Sequence, residues 1–373
     1  MNFDLTENQQ RIQQAAREFA TRVLAPRAAD VDRNAQLDAE SVGQLGRSGF
    51  FGMTIPEVFG GSGGDIVAFA LAVEELAAAC ANSAACVATT VAHACRPLLL
   101  HGSETQKGDL LPALAGAKTT IAFATIDPDN LASGVLDAER MQDGSFVLRG
   151  ETGLATFFGE PEHVIVFARL PGEHITAFVV PHDSVNVRVT VLPESLGKRA
   201  AKLGVFRFDG VHAAETAVLG RVNAGLEVAR AAQEDARIAA AAEAVGIARA
   251  AYERAALYVK QQSPKTPAPG LLGVQAMLAD MCVDVDAARL LTLRAAQLAD
   301  AGVSSASERS MAKLFASEMS TRVAHKAMQI HGTRNVAATP NLERHFRDAR
   351  MTELSDDPPE QQRSVIAAAM LKA

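Results

Sequence analysis

The spacing of apolar residues changes twice along this chain of 373 residues. From the start to about Lys118, and again after about Gly220, apolar side chains recur about every three or four positions, which is typical of helices with one buried face. Between these segments lie short runs rich in Val, Ile and Phe, separated by Pro and Gly. Such runs, without helices between them, predict strands that form a small antiparallel sandwich or barrel. The sequence therefore predicts an α+β, mostly α fold with three parts: an N-terminal helical domain (1–118), a central small antiparallel β-domain (119–218) and a C-terminal helical bundle (219–373).

Local signals mark where several of these elements begin and end. Thr6 followed by Gln9 is the pattern of a capping box at a helix start. Asp65, after a glycine-rich loop, predicts the N-cap of an Ala-rich helix. The Asp143-Gly144 pair favours a tight hairpin turn. Strands are predicted at 146–148, 164–168, 176–180, 185–189 and 205–208, and C-terminal helices at about 224–261, 271–300, 306–331 and 360–371.

Composition and charge argue against several classes of protein. A formal net charge of −7 argues against a nucleic-acid partner, which would require a clustered basic face. No uninterrupted apolar segment is long enough to span a membrane, and the first five residues lack the basic start and apolar run of a signal peptide. The four cysteines form no C-x-x-C pair, which favours buried neutral thiols over disulfides or metal ligands. We therefore expect a cytoplasmic protein that binds neither nucleic acid nor membrane.

Six strings of residues follow one another in an order that is known from one enzyme family. They are 51–61, 102–114, 237–248, 311–318, 329–332 and 343–350, the last reading Glu-Arg-His-Phe-Arg-Asp-Ala-Arg. With the order α, β, α and the chain length, they make the chain resemble the acyl-CoA dehydrogenase family over essentially its whole length. The resemblance implies that the C-terminal part is a four-helix bundle.

The resemblance also implies a reaction. In this family an acyl-CoA thioester lies beside an FAD, a carboxylate removes the α-proton, and the β-hydride passes to the flavin. The α-proton becomes removable because hydrogen bonds stabilise the charge that develops on the thioester oxygen. The partners implied are an acyl-CoA thioester and other subunits, in a homo-oligomer or in a hetero-oligomer with a paralogue.

The resemblance assigns the catalytic base to Asp356. Counting without gaps from Asp348 places Asp356 where the family has a glutamate, so the carboxylate is one methylene shorter. A helix cap is an alternative for this segment, because Asp357 precedes two prolines and a glutamate, and for Asp357 we expect capping rather than catalysis. A related subgroup carries its base where this chain has Ala236.

By resemblance, five residues are candidates for binding FAD: Phe123, Thr125, Thr156, Gln329 and Gly332. Other positions of the same motifs have changed. Ile126 stands where the family has a threonine, and Leu154 stands where it has a tryptophan that packs on the flavin. Lost hydrogen bonds to charged groups weaken binding by about 1.5–3 kcal/mol each. We therefore expect weakened or lost FAD binding.

On the substrate side, the resemblance points to Arg237, Arg96 and His93. Arg237 corresponds to the family's contact with the CoA part, whereas Arg96 and His93 lie on the helix that lines the acyl end. An arginine at that place is suited to an anionic acyl group, although an arginine that extends to the surface is an equal alternative.

Three functions remain open from the sequence. The first is FAD-dependent α,β-dehydrogenation of an acyl-CoA with Asp356 as the base. The second is a catalytically degenerate subunit that pairs with an active paralogue. The third is non-redox chemistry or binding of an acyl-CoA. A visible spectrum of the purified protein separates the first two.

Overall fold

In the computed structural model, helices form the first third of the chain. The structure describes residues 4–372 except 128–130, 132–133, 173, 263–267, 304, 339–341 and 356. Short π-helical segments continue two of the helices, at Ala20–Leu24 and Thr90–Cys95. The helices are α1 (Glu7–Phe19), α2 (Ala28–Asn34), α3 (Ala39–Arg47), α4 (Ile66–Ala79), α5 (Ala81–Thr89), α6 (Arg96–His101) and α7 (Glu104–Ala115).

Side-chain caps fix the starts of α1 and α4. The Thr6 hydroxyl accepts from the Gln9 backbone N–H at 3.2 Å, and the Gln9 amide oxygen accepts from the Thr6 N–H at 2.9 Å. Asp65 Oδ1 accepts from the backbone N–H of Ala68 at 2.6 Å. Both predicted caps are therefore confirmed, since each side chain satisfies N–H groups that a first helical turn leaves without partners.

The middle of the chain forms one mixed sheet. The strand order is β1-β4-β8-β3-β2-β5-β6-β9, and β7 pairs with the other edge of β8. Most pairings are antiparallel, as predicted, but β5 runs parallel to both β1 and β2. The all-antiparallel prediction fails there because β1, β2 and β4 were not recognised in the sequence. The strands are β1 (Ile121–Ala124), β2 (Leu136–Arg140), β3 (Phe146–Glu151), β4 (Ala155–Phe157), β5 (His163–Leu170), β6 (His174–Pro181), β7 (Val187–Val191), β8 (Lys202–Ala213) and β9 (Val218–Leu219).

Long helices form the last third of the chain. Helix α10 contains a non-helical residue, Gly332, with φ +68°. Helix α11 was not predicted separately, because its sequence is rich in charged residues although several of them are buried. The helices are α8 (Gly225–Gln262), α9 (Ala268–Asp300), α10 (Ala306–Ala338), α11 (Leu342–Leu354) and α12 (Pro359–Lys372).

The two helical parts are joined by a close helix pair and by buried ion pairs. Helix α8 lies against α4, where a Cβ added to Gly246 would lie 2.2 Å from the carbonyl oxygen of Glu74. The buried Glu74 and Glu75 carboxylates meet arginines from α1, α8 and α9, including Arg249 on α8. Glu75 is held by Arg17 and Arg249, whose bonds keep its pKa below the ordinary value in spite of burial. The first and last thirds of the chain therefore share one core.

One stretch of helix, Ala81–His101, is long and apolar enough to cross a membrane by length and composition. Within its most apolar window, 72% of the residues are buried inside the protein, as in a core helix. Its length and hydropathy follow from packing between the sheet and α8.

Candidate functional site

A cavity of about 810 Å³ lies between the sheet and the helices. The sheet side consists of the end of β1, the β3–β4 connection and the loop before β8. The helical side consists of α5 with its π-helical extension, one face of α8, and the segment between α11 and α12. Four residues that the sequence assigned to the site line this cavity: His93, Phe123, Thr125 and Thr156.

The sheet wall is shaped by the pairing of β1 with β4. Phe123 lies opposite Thr156 in that pairing. Beyond the strand end, Thr125 bonds to Leu154 through both its N–H and its hydroxyl, at 2.9 and 2.8 Å to the same carbonyl oxygen. A Cβ at Gly153 would lie 2.2 Å from the Thr125 carbonyl oxygen, so this close approach requires glycine. The backbone of this wall is therefore fixed where β1 ends.

Most hydroxyl groups on this wall donate to the protein's own backbone. The hydroxyls of Thr125, Thr152 and Ser195 donate to the carbonyl oxygens of Leu154, Gly153 and Gly197. Across the cavity, the Ser355 hydroxyl donates to the Met351 carbonyl oxygen in the same way. Among the described residues, no such bond is found for the Thr156 hydroxyl. A polar ligand on this wall would therefore meet few hydroxyl donors that are not already used.

The helical wall is formed by small side chains at helical spacing. Ala85 and Ala88 line the cavity from α5, and Ala236 and Ala239 line it from α8. These alanines leave room between the helices because they have no side chain beyond Cβ. In the π-helical extension, His93 stacks on Phe123 with ring centroids 5.0 Å apart and planes 15° from parallel. π-Helical turns in longer helices are frequent at functional sites.

The segment between α11 and α12 places a carboxylate side chain at the cavity. Asp356, the expected base, lies outside the described residues, but Ser355 and Asp357 on either side of it both line the cavity. The Asp357 carboxylate accepts from Arg237 at 2.8 Å, and both side chains are nearly buried. Arg237 itself does not belong to the described lining, although it holds a lining carboxylate.

The expectation that Asp357 caps α12 is wrong. Asp357 has φ +68°, whereas an N-cap residue has extended backbone. Its side chain is bonded to Arg237, and its carbonyl oxygen accepts from the buried Lys313 ammonium at 2.6 Å. Helix α12 begins at Pro359, whose missing N–H suits a first helical position. The ion pair of Asp357 with Arg237, which is distant in sequence, therefore forms in place of a local helix cap.

Lys198 and Glu243 form a buried ion pair in the cavity wall. The Lys198 ammonium donates to Glu243 Oε2 at 3.0 Å and to Ser355 Oγ at 3.2 Å. The side chains are 9% and 4% exposed, and both line the cavity. Sequence analysis missed this pair. The available signal was Glu243 itself, a single acid within a run of alanines on a buried helix.

The loop that carries Lys198 is held firmly by its neighbours. The backbone N–H of Lys198 donates to the buried Asp348 carboxylate at 2.7 Å, and the N–H of Ala200 donates to Asn82 Oδ1 at 2.8 Å. A Cβ at Gly197 would lie 2.4 Å from the backbone of Arg347. Burial raises the pKa of the Asp348 carboxyl to about 6. This loop is therefore docked on α11 and α5.

The other sequence candidates lie outside the described lining. Arg96 Nε pairs with Asp235 at 3.0 Å, and Asp235 is almost fully buried. Gln329 is exposed on α10, and Gly332 marks the break in that helix. The cavity of a single chain therefore does not bring Arg96, Gln329 or Gly332 together with Phe123 and Thr156, and their roles stay predictions.

Ion pairs balance part of the charge of the lining, Glu243 with Lys198 and Asp357 with Arg237 behind the wall. Among the lining residues that the structure describes, the acids are Asp127, Glu243 and Asp357, and the base is Lys198. No group of three or more metal-binding side chains is found among the described residues. Carboxylates beside an apolar wall are suited to proton transfer from a substrate that is held largely by apolar contact.

Known proteins resemble this chain in sequence and in fold. Models described as the N-terminal and C-terminal domains of acyl-CoA dehydrogenase match residues 6–118 and 223–371. A probable acyl-CoA dehydrogenase of Bacillus subtilis (strain 168) is 33% identical, with 100% of each chain covered. The mitochondrial short-chain specific acyl-CoA dehydrogenase of Bos taurus is 33% identical, with 99% of this chain and 92% of that protein covered. The structure of butyryl-CoA dehydrogenase from Megasphaera elsdenii superposes with a TM-score of 0.93 at 30% identity, with 100% of each chain covered.

Proposed function

The chain belongs to the acyl-CoA dehydrogenase family, and on that premise we propose that it catalyses FAD-dependent α,β-dehydrogenation of an acyl thioester. The observation that carries the proposal is the cavity of about 810 Å³ between the sheet and the α5–α8 face. Its sheet wall combines apolar side chains with hydroxyls that already donate to the backbone, and alanines of α5 and α8 form part of the opposite wall. An acyl chain fits between the helices because those alanines leave space there.

The residues of the sheet wall suit a flat ring system. Phe123, Thr125, Leu154 and Thr156 would hold FAD through apolar contact and backbone groups, and bound FAD would supply the acceptor for the β-hydride. We propose that affinity for FAD is reduced, because three hydroxyls of the sheet wall, those of Thr125, Thr152 and Ser195, donate to the protein's own carbonyl oxygens. If three hydrogen bonds to FAD were lost in this way, binding would weaken by several powers of ten.

We keep Asp356 as the proposed base that removes the α-proton. Its neighbours Ser355 and Asp357 line the cavity, and Arg237 holds Asp357 in place. A carboxylate one methylene shorter than the family's glutamate would act more slowly, because a misplacement of about 1 Å costs on the order of 10²-fold in rate.

The test is a flavin titration followed by substrate addition. The purified full chain is titrated with FAD, and binding is followed by the quenching of flavin fluorescence. An acyl-CoA is then added without oxygen, and we expect the visible absorbance of the oxidised flavin to fall. Asp356→Asn should retain FAD binding and lose this absorbance change, whereas Asp109→Asn, at an exposed position on α7, should behave like the native chain.

A second candidate function follows from the same hydroxyls, which already donate to the protein's own backbone. We propose it as the alternative: the chain is a subunit that pairs with an active paralogue and contributes its fold rather than its own flavin. In that case the isolated chain, incubated with excess FAD and then separated from unbound flavin, would be colourless. Co-expression with a paralogue that has intact flavin motifs would yield a coloured complex. A chain that alone binds FAD at about one per subunit excludes this alternative.

A further inference from the structure

The turn between α11 and α12 is held by a fully buried lysine of α10. Lys313, which is 0% exposed, donates from its ammonium to the carbonyl oxygen of Glu353 at 2.9 Å and to that of Asp357 at 2.6 Å. Glu353 lies in the last turn of α11, where carbonyl oxygens have no partner within the helix, and Asp357 lies shortly before α12. One ammonium therefore joins the end of one helix to the approach to the next.

Apolar packing contributes little to the position of this turn. Leu354 is 51% exposed although it lines the cavity, and Pro358 is exposed as well. Asp357 has φ +68°, in the left-handed region that residues other than glycine rarely adopt. Conformations of this kind persist where the surrounding structure holds them, and they concentrate at active sites. The polar contacts of the turn therefore set its shape.

Two further cations reach the same turn from other elements. Arg237 on α8 pairs with the Asp357 carboxylate at 2.8 Å, and Lys198 in the loop before β8 donates to Ser355 Oγ at 3.2 Å. Cations from three elements thus hold positions 353, 355 and 357 of one short turn. Lys198 lines the cavity and Arg237 is a candidate for substrate contact, whereas Lys313 does not belong to the described lining. A change at Lys313 therefore acts on the cavity through the turn.

We propose that Lys313 is a positioning residue for the base: it fixes the turn so that the carboxylate of Asp356 stays within reach of the α-proton. Asp356 lies in sequence between the two residues whose carbonyl groups Lys313 holds. The inference rests on the proposed function, because it assumes that Asp356 removes that proton. Proton transfer requires hydrogen-bond distance, and a misplacement of about 1 Å costs on the order of 10²-fold in rate. Binding of FAD and of the thioester uses the cavity walls and does not depend on Lys313.

The test is Lys313→Met, which keeps a long side chain and removes the donor. The purified full chain is supplied with FAD, and reduction of the flavin by an acyl-CoA is followed without oxygen by stopped-flow absorbance. The limiting rate at saturating acyl-CoA should fall by about 10- to 100-fold. The half-saturating acyl-CoA concentration and the dissociation constant of FAD should each change by less than about twofold, because the lost contact serves the reaction rather than binding.

A second readout isolates removal of the proton. An acyl-CoA with sulfur in place of the β-carbon has an α-hydrogen but no β-hydride to give, so exchange of its α-hydrogen in D₂O, measured by mass spectrometry, should slow by the same factor. Lys313→Gln keeps an amide donor and should recover part of the limiting rate; circular dichroism checks the fold of both variants. The matched control is Arg249→Met, which removes a cation from the buried ion pairs of Glu74 and Glu75, outside the cavity lining. It should keep the native limiting rate even though it lowers stability.

The outcomes separate this inference from the proposed function. Native limiting rates in the Lys313 variants overturn the positioning role, while the acyl-CoA assignment stands. A loss that lies in the half-saturating concentration or in FAD affinity assigns Lys313 to binding and overturns it too, as does an equal loss of rate in Arg249→Met. If neither Lys313 variant folds, the residue serves the fold rather than the base, and the inference is wrong. If no acyl-CoA reduces the flavin of the native chain, the proposed function and this inference fall together.

Discussion

The close contact of α8 with α4 makes Gly246 a position where one added methyl group should damage the protein. A Cβ there would lie 2.2 Å from the Glu74 carbonyl oxygen, 2.9 Å from Ala77 Cβ and 3.1 Å from Ala78 N. Two of these neighbours are backbone atoms of a buried helix, so the helices themselves must move apart, by about 1 Å. Overpacking of this kind costs about 1–3 kcal/mol, and occasionally more.

The expected loss can be set against the gain in helix propensity. Alanine in a helix interior is better than glycine by about 0.5–1 kcal/mol. Subtracting this gain from the overpacking cost gives an expected net loss of about 0–2.5 kcal/mol for Gly246→Ala. The 2.2 Å approach to a backbone oxygen places the loss toward the upper end of that range. Gly273→Ala on α9 is the matched control, because nothing lies within 4 Å of a Cβ there. That variant should gain stability by about 0.5–1 kcal/mol.

Guanidinium denaturation followed by far-UV circular dichroism measures both variants beside the native chain. Because Ala236, Ala239 and Glu243 line the cavity from the same helix, Gly246→Ala should also weaken acyl-CoA binding, whereas Gly273→Ala should not. If Gly246→Ala were as stable as Gly273→Ala, the claim that α4 and α8 require glycine at their contact would be refuted.

Three further changes test the site. Lys198→Met and Glu243→Leu should each cost about 3–5 kcal/mol, because each removes the oppositely charged partner of a buried charge. The double variant should cost far less than the sum of the two, and additive losses in denaturant titrations would contradict the pairing. The Asp348 carboxyl, with its pKa raised to about 6 by burial, holds a proton in the folded chain that the unfolded chain has released. The stabilisation by this proton is complete below pH 3.8, the pKa of the unfolded chain, and is lost as the pH rises through about 6. The free energy of unfolding of Asp348→Asn should therefore rise relative to that of the native chain, by up to about 3 kcal/mol, between about pH 4 and pH 7. A pH-independent difference in denaturation would refute this. Leu154→Trp, at a lining position that is 44% exposed, should tighten FAD binding by about three- to tenfold through aromatic stacking, and an unchanged fluorescence titration would count against a flavin on this wall.

Local signals predicted the elements well where the signal lay within a few residues. The capping box of Thr6 and the cap of Asp65 depend on groups three residues apart, and both form as expected. The parallel pairings of β5 could not be inferred in the same way. They join strands that are far apart in sequence, and β1 and β2 have only four and five residues. Such pairings are set by the whole sheet rather than by the strand's own pattern.

The part of the site that could be predicted came from the family resemblance rather than from local patterns. The resemblance pointed to Phe123, Thr156 and His93, and the structure brings all three to the wall of one cavity. Arg237 and Asp357 lie near opposite ends of the C-terminal segment of the sequence. The ion pair between them forms in place of the helix cap that the Asp357-Pro358 sequence favours locally. Long-range ion pairs of this kind depend on tertiary structure, which no short pattern encodes.

The chemistry of the cavity wall argues against loss of function by simple erosion. Where nothing selects the residues of a buried wall, apolar side chains and relaxed backbone conformations are the stable choice. This wall instead keeps Lys198 at φ +48°, at a cost of about 1–2 kcal/mol for a residue other than glycine, and pairs it with a carboxylate 45 residues away that would be more stable in water. Two independent costs are thus carried at one point of the cavity. The bonds that hold them run from the Lys198 N–H to Asp348 and from its ammonium to Ser355, so they tie this part of the wall to the segment that carries the proposed base.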